Sequence, residues 1–329
     1  MDFGRIDDPR RHYLPELPPD YPGNRHVLNP GEAGTVRIGL ATWGDTYNRG
    51  ILYTPHAAPG DFLQYYGAVY SAVELSASYY GLPERARLES WAAAVSDTFR
   101  FLPKVSREIT HRDALADTTI PALAAFLERI GSLGTRLGPL LLQLSPGFLP
   151  TTENRRRLAA AVALLGPRAA VELRHPAWFG ADTPPQMGPP PAAEVLAPDG
   201  ATLVVTDTLG ARDVVHSILT APRFVLRFVA CYTSEIDEAR ADAWAHRIGT
   251  WMTRGLREAC IFVHLDEARG AHAIATRFAR GIAEVAPGTT ILGPAPLPTF
   301  PASASASAHK KTGGPDSPEP PDSQLPLFT

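Results

Sequence analysis

The chain is poor in cysteine, has no long apolar run and carries no marked excess of charge of either sign. Its 329 residues include two cysteines, Cys231 and Cys260, and neither has a CxxC neighbour. Cys231 is expected to end a strand and Cys260 to begin the next, at opposite ends of a parallel sheet. A disulfide is therefore not expected, which suits a reducing compartment. No run approaches the roughly 20 apolar residues that span a bilayer. The opening MDFGRIDDPRRHYLP has no apolar stretch after its charges and is not a secretory signal. The formal net charge of −3 argues against broad attraction to nucleic acid or anionic membrane. There is no GxGxxG turn after the first strand-like run, no GxSxG elbow, and no HxH or HExxH pair. A dinucleotide fold and a serine-hydrolase elbow lose support accordingly. These absences together predict a cytoplasmic protein.

What is present is a repeated pattern: short apolar runs that end in a charged or hydrogen-bonding residue. Strand-like runs fall near 35–43, 70–80, 99–106, 139–145, 169–175, 201–208, 223–231 and 259–266. Helical patterns lie between most of them, at 85–97, 119–133, 153–165, 236–254 and 271–285. In ENRRRLAAAVALLG, helical spacing puts Leu158, Val162 and Leu165 on one face. Strands of nearly continuous apolar character that alternate with helices indicate a parallel sheet covered on its outside. Eight such units over roughly 250 residues match a (β/α)8 barrel, so the expected fold is α/β, a TIM-like barrel of parallel strands with outer helices. Residues 1–34 are expected to form an irregular N-terminal arm, and 35–287 the barrel. PAWFGADTPPQMGPPP (176–191) is too rich in proline for helix and long enough for a lid. Residues 288–323 have the composition of a Pro/Ser-rich linker unable to bury a core, and 324–329 form a tail.

Charge inside a core is expensive unless paired, so polar residues at strand ends mark a site. Side chains alternate along a strand, which places Glu172 and Arg174 on one face, directed into the barrel near its mouth. Glu74 and Ser76 share a face on the second strand; Lys104 and His111 follow the third. Glu172, His111, Lys104 and Asp207 form the candidate catalytic set. The competing structural reading is a buried ion-pair layer that fills the barrel. Barrel active sites lie at strand C-termini, which favours function. Glu74, His111, Glu172, Asp207, His264 and Asp266 could supply ligands for a divalent metal, although no spacing motif supports one. The aromatic residues Trp43, Tyr47, Tyr79, Tyr80, Trp178 and Tyr232 are candidates to stack on a sugar or base, or simply to pack under loops.

These segments together resemble the YecE-like family, domain of unknown function 72. The resemblance covers about 36–285 and rests on motifs in order. They are IGLATW with Gly39 and Trp43; FLQYYGAVYSAVELSASYYGLP with Glu74, Tyr80 and Pro83; and FLPKVSREITH with Lys104, Arg107, Thr110 and His111. LGPLLLQLSP with Gly138 and Gln143 follows, then VELRHPAW with Glu172, Arg174, His175 and Trp178, then Asp207, Arg227 and a final strand before GAHAIATRFA. The resemblance implies a TIM-type barrel with a polar pocket at the strand ends, and carries no settled activity. Three positions depart from the usual pattern: Ser76 in place of Asn, His264-Leu265 in place of an Asn-Asn pair, and Ala41-Thr42 before Trp43.

The chain thus predicts an enzyme, a hydrolase or lyase on a small phosphorylated or nucleic-acid-derived substrate. Trp43, Glu74, Tyr80, Arg107, Gln143, Arg174, His175, Trp178, Arg227 and His264 would line the substrate site. Lys104, Arg174 and Arg227 would hold an anion, and Glu172 or His111 would move protons. The alternative is a non-catalytic module binding an anion or nucleotide. The end of the chain, QLPLF, is similar to a bacterial sliding-clamp-binding peptide, in which Leu325, Leu327 and Phe328 would fill an apolar groove while Gln324 makes polar contacts. Recruitment of this kind would place either activity near replication or repair, and would replace electrostatic attraction to phosphate. A third possibility is a scaffold in which the tail alone matters.

Overall fold

In the computed structural model, the structure describes residues 8, 16–31, 33–180 and 188–300. Eight parallel strands form the barrel. They are β1 (Thr35–Leu40), β2 (Ala72–Leu75), β3 (Arg100–Pro103), β4 (Leu140–Gln143), β5 (Ala169–Glu172), β6 (Thr202–Asp207), β7 (Arg223–Val229) and β8 (Glu258–His264). Their order around the sheet is β3-β2-β1-β8-β7-β6-β5-β4. The seam between β3 and β4 is narrow, with isolated parallel bridges at Phe101–Leu137 and Lys104–Leu141. Gly138 N donates to Phe101 O at 2.8 Å and Val105 N to Leu141 O at 2.9 Å, so the cylinder is nearly closed.

The outer layer is α1 (Phe62–Val69), α2 (Arg85–Ala93), α3 (Ile120–Ile130), α4 (Thr152–Leu165), α5 (Pro191–Leu196), α6 (Ser234–Thr253) and α7 (Ala268–Val285). The connection after β6 is the short 3-10 segment Leu209–Val214. On α4, Leu158, Ala161, Val162 and Leu165 are buried, the face expected from their spacing. Two helices were not legible. α1 runs directly into the apolar stretch before β2, which hides its period. α5 starts at Pro191, where proline suits a first helical turn, inside a stretch whose composition argues against helix. The lid expected over 176–191 is in part the 3-10 turn Pro176–Phe179 and the start of α5; its middle, 181–187, lies outside the described residues. The strand expected over 70–80 ends at Leu75, and Ala77–Tyr80 form one helical turn.

The barrel interior is layered, as the alternation of strand side chains requires. At the N-terminal end Glu258 pairs with Arg37 and with Arg223. Above lies an apolar plug of Ala72, Leu102, Leu141, Ala170, Val204, Val225, Cys260 and Phe262. Above the plug, two residues further along several strands and so on the same face, the interior becomes polar: Glu74, Gln143, Glu172, Thr206, Arg227 and His264. The larger apolar cluster lies outside the cylinder, between strands and helices.

Both ends of the chain segment differ from the expected boundaries. A ninth strand, β9 (Thr290–Leu292), pairs in parallel with β1, within the stretch expected to be linker. Ser71 Oγ donates to Leu292 O at 2.6 Å and Ala295 N to Val69 O at 2.7 Å. The barrel unit therefore extends past 287; three strand residues between Gly and Pro are too short a pattern to show. In the arm, Pro22–His26 form a 3-10 turn, and fully buried Asn24 bonds Ser217 O and Leu219 N, each at 2.8 Å. Asp20 receives Arg247, Trp251 and Arg254, each at 3.0 Å. Residues 1–7, 9–15, 301–323 and the tail 324–329 lie outside the described residues.

Gly39 marks the tightest approach in the barrel. A Cβ there would lie 1.8 Å from Ala72 O, because the Tyr66 hydroxyl bridges β1 and β2. It accepts from Leu40 N and donates to Ala72 O, each at 2.7 Å. Gly39→Ala is expected to destabilise the protein by on the order of 3 kcal/mol or more, whereas Gly60→Ala, which meets nothing within 4 Å, is expected to be nearly silent. Parallel thermal melts check this; equal melting temperatures for the two variants would refute it.

Candidate functional site

The polar layer is organised by Arg227, from the interior face of β7. Its Nε and Nη2 donate to Glu74 Oε2 and Oε1, each at 2.9 Å, a bidentate pair across the barrel. Its Nη1 donates to Glu172 Oε2 at 2.7 Å and lies 3.4 Å from both Gln143 Oε1 and Thr206 Oγ1. Arg174, just past β5, donates to the other oxygen of Glu172. His264 Nε2 lies 3.1 Å from Glu74 Oε2. Segments 190 residues apart in sequence thus meet in one network.

Burial pushes both carboxyl groups up, but cations outweigh it. Arg174 and Arg227 hold Glu172 down at about 2, and Arg227 with His264 holds Glu74 well below the usual carboxylate range. Both are ionised at any physiological pH and every carboxylate oxygen is engaged. Glu172 therefore does not fit the proton-moving role expected of it. It is a fixed anion that positions Arg174 and Arg227.

Lys104 and His111 occupy the rim of this network. Lys104 is 8% exposed and its Nζ sits 3.9 Å from the centroid of the Tyr79 ring. Burial and the nearby Arg227 push its ammonium down to about 8, against the opposing pull of Glu74 and Glu172. His111 packs edge-on against the same ring, with centroids 5.6 Å apart. Burial, Lys104, Arg174 and Arg107 push it down to about 4, so the imidazole is neutral at pH 7. Its Nδ1 is 2.9 Å from Thr110 Oγ1, and that hydroxyl lies 3.1 Å from Ser106 O, to which it donates. The hydroxyl has one proton, so His111 Nδ1 is the donor and Nε2 carries the free lone pair. Arg107 and Tyr80 are exposed beside this rim.

Several expected site residues lie elsewhere. Asp207 follows Thr206 by one position and faces the helix layer. There Arg240 and Arg212 pair with Oδ1, Trp244 Nε1 donates to Oδ2 at 2.6 Å, and the side chain has no exposure. Burial raises it but Arg240 and Arg212 hold it down, which makes it a structural anion. Trp178 is fully buried, stacks on Phe148 and donates to Phe148 O at 2.6 Å. His175 caps the Pro176–Phe179 turn by accepting from Ala177 N. Trp43 packs edge-on against Trp91 and Phe101 on the helix side. None of these four joins the polar layer. Thr206 was not singled out, and Thr110 entered only as a motif residue without its tautomer-fixing role; alternation from Val204 identifies Thr206 as an interior residue.

The donor set does not fit a divalent metal. Glu74 and Glu172 are taken by guanidinium groups, Asp207 faces away, and Asp266 accepts from the Tyr232 hydroxyl at 2.7 Å. Among the described residues no group of three or more His, Cys, Asp or Glu side chains is placed to hold a metal ion. No described helix is long and apolar enough to cross a membrane. Two surface grooves, one between α6 and α7 lined by Asp242, His246 and Arg277, the other at the N-terminal end of the barrel around Gly34 and Met252, involve none of the candidate residues.

Fold and site together define a TIM-like barrel with an ionic layer at its mouth. Residues 37–298 match the family described as Protein of unknown function DUF72, and the chain belongs to that family. It is similar to UPF0759 protein YecE of Escherichia coli, 26% identical over 212 residues, 57% of this chain and 74% of that protein. It is also similar to UPF0759 protein YunF of Bacillus subtilis, 27% identical over 155 residues, 44% of this chain. The match spans about half the length of YunF, 52%. Two solved DUF72 family proteins share the fold. One, from Enterococcus faecalis, has a TM-score of 0.59 at 19% identity, covering 76% of this chain and 98% of that one. The other, from Thermotoga maritima, has 0.59 at 22%, covering 75% and 98%.

The depressed Lys104 has a signature in stability. Below pH 8 the ammonium is charged in both folded and unfolded chains, and its burial penalty is present in full. Between about 8 and the ordinary 10.5 the folded protein releases its proton first, so stability rises with pH. The wild type should gain on Lys104→Met across this window by up to about 3 kcal/mol. Denaturant unfolding of both proteins at pH 7 and pH 10 measures the change; a constant difference would contradict a depressed lysine.

Proposed function

We propose that the protein is an enzyme, of the hydrolase or lyase type, acting on a small phosphorylated or nucleic-acid-derived substrate at the C-terminal mouth of the barrel. One observation carries this reading: Lys104, whose proton is weakly held, and the neutral imidazole of His111 share the ring of Tyr79 beside the guanidinium groups of Arg174 and Arg227. The saturated carboxylates carry no proton near neutrality and are weak bases, so acid–base work falls to His111, and Arg174 with Arg107 and Lys104 supplies the electrostatic attraction for an anion. A second reading, a non-catalytic anion- or nucleotide-binding module, is favoured by the completeness of the Glu74–Arg227–Glu172 network.

Inorganic phosphate and deoxyribose 5-phosphate should each raise the melting temperature. Arg174→Gln should weaken that binding about tenfold or more, as the loss of a charge-assisted contact worth ~1.5–3 kcal/mol. His111→Asn should leave phosphate binding in place and slow any turnover of the sugar phosphate, followed by phosphorus NMR, by on the order of 10²–10⁴. Stabilisation without turnover in the wild type would favour the binding module; no stabilisation by either anion would remove both readings.

We carry the tail as part of the same proposal: Gln324, Leu325, Leu327 and Phe328 would dock on a sliding clamp and deliver the barrel to DNA under replication or repair. Purified bacterial clamp should retain the full chain and release one that lacks 324–328. Equal retention of both would dismiss the link.

A further inference from the structure

The chain has three lysines against 28 arginines. Two, Lys310 and Lys311, lie outside the described residues, so Lys104 is the single lysine of the barrel. Among the described residues, every other basic side chain that pairs in or around the barrel is arginine, apart from His264 on Glu74. Arginine cannot lose its proton in a protein, whereas a lysine in a dry setting can. A lysine at this one position supplies what arginine cannot, an amine lone pair.

Its surroundings are those of a nucleophile. Lys104 is set at the end of β3 by its own main chain: its N–H donates to Leu75 O at 3.2 Å and its carbonyl accepts from Ser78 Oγ at 2.8 Å. Among the described residues the ammonium has neither a salt bridge nor a hydrogen bond; its close contact is the face of Tyr79. The two carboxylates that could have held it as a cation are taken by Arg227 and Arg174. His111, on the same ring, presents an unprotonated Nε2.

We propose that Lys104 is a catalytic nucleophile that forms an imine with the carbonyl carbon of an open-chain phosphorylated sugar. This rests on the reading of the mouth as an enzyme site for a phosphorylated or nucleic-acid-derived substrate, and names its chemistry. The Nζ lone pair forms a C–N bond while the carbonyl π pair moves to oxygen, which is protonated. His111 Nε2 takes a proton from the nitrogen and returns it to the departing oxygen. The C–O bond breaks and water leaves. Overall, amine, carbonyl and one proton give a protonated imine and one water; nothing is oxidised or reduced. The ammonium pushed down to about 8 leaves a useful fraction of free amine at neutral pH. Arg174 and Arg107 would hold the phosphate.

Such a sugar aldehyde exists free, or as the open-chain deoxyribose of an abasic site within DNA; both present an aldehyde beside phosphate. The full chain is incubated with deoxyribose 5-phosphate, or with an oligonucleotide containing one abasic site, and reduced with sodium borohydride. Peptide mass mapping should find one adduct on Lys104, formed faster than any on Lys310, Lys311 or the N-terminal amine. The adduct should vanish in Lys104→Arg and Lys104→Met, each checked by a cooperative melt, and form on the order of 10²-fold more slowly in His111→Asn. Trapping with one probe alone identifies the source of the aldehyde and supports the imine. No Lys104 adduct with either probe, or one no faster than at Lys310, overturns it. Melting with inorganic phosphate, run without borohydride, separates the two layers. Stabilisation that persists without an adduct leaves the anion site standing and removes the imine alone; its absence removes the anion site as well.

Discussion

Arg227 lies between two buried glutamates, and the mouth of the barrel is arranged around that contact. Taking a carboxylate or guanidinium out of water costs several kcal/mol per ion even after relaxation, and only close, hydrogen-bonded pairing offsets it. Arg227 meets the requirement by bonding both oxygens of Glu74 and one of Glu172. Arg174 and His264 satisfy what remains. The apolar plug beneath, with Leu102, Val204, Val225 and Phe262, keeps the network dry from below. Glu74, Glu172 and Arg227 sit on three different strands, so the pairing also fixes β2, β5 and β7 relative to one another.

That same pairing decides which groups can do chemistry. Two carboxylates and one permanent cation leave a net charge near −1 in the core layer, and Arg174 brings it close to zero. Lys104 then approaches a layer whose negative charge is already matched. Among the described residues it finds no salt-bridge partner to offset its dehydration, only the face of Tyr79, and its proton is held weakly. His111 stands beyond Lys104 and Arg174, in a positive field that opposes a second cation. A complete ion-pair layer, the structural alternative to a site, is thus also what leaves Lys104 and His111 weakly basic beside it.

Much of this was legible in the sequence because period-two alternation survives even in four-residue strands. Glu74, Lys104, Gln143, Glu172, Arg174, Arg227 and His264 were expected together, and they meet in the mouth. Asp207 went wrong by one residue: it ends β6, but the interior face of that strand carries Val204 and Thr206, so the carboxylate turns outward to Arg240 and Trp244. Trp178 and His175 lie beyond β5, where strand alternation no longer applies and packing on Phe148 and capping decide their direction. The role of Glu172 could not be read at all. Its protonation depends on which cations reach it across the barrel, and no local pattern encodes the distance from β5 to β7. β9 and α1 were hidden for another reason: one is three residues long, and the other merges its apolar face with the strand after it.

The mouth is electrically lopsided, which constrains how a ligand enters. Lys104, Arg107 and Arg174 lie on the side of β3 and β5. Across from them, after β1 and β8, Asp45 and Asp266 approach closely enough that burial and mutual repulsion raise the Asp45 carboxyl. Tyr47 and Tyr232 stand exposed on that rim, and burial and the two carboxylates keep the Tyr47 hydroxyl protonated. A phosphate is repelled there and attracted opposite. Phenol faces and carboxylate oxygens suit the uncharged hydroxyl-bearing part of a sugar. Between the two rims Tyr79 holds Lys104 and His111 together, and under the proposed reading a sugar phosphate would lay its carbon chain over that space. The lysine–histidine pair and the charge gradient thus lie in one direction across the mouth, and the weak hold of Lys104 on its proton follows from its burial and from the way Arg227 consumes the negative charge of the core.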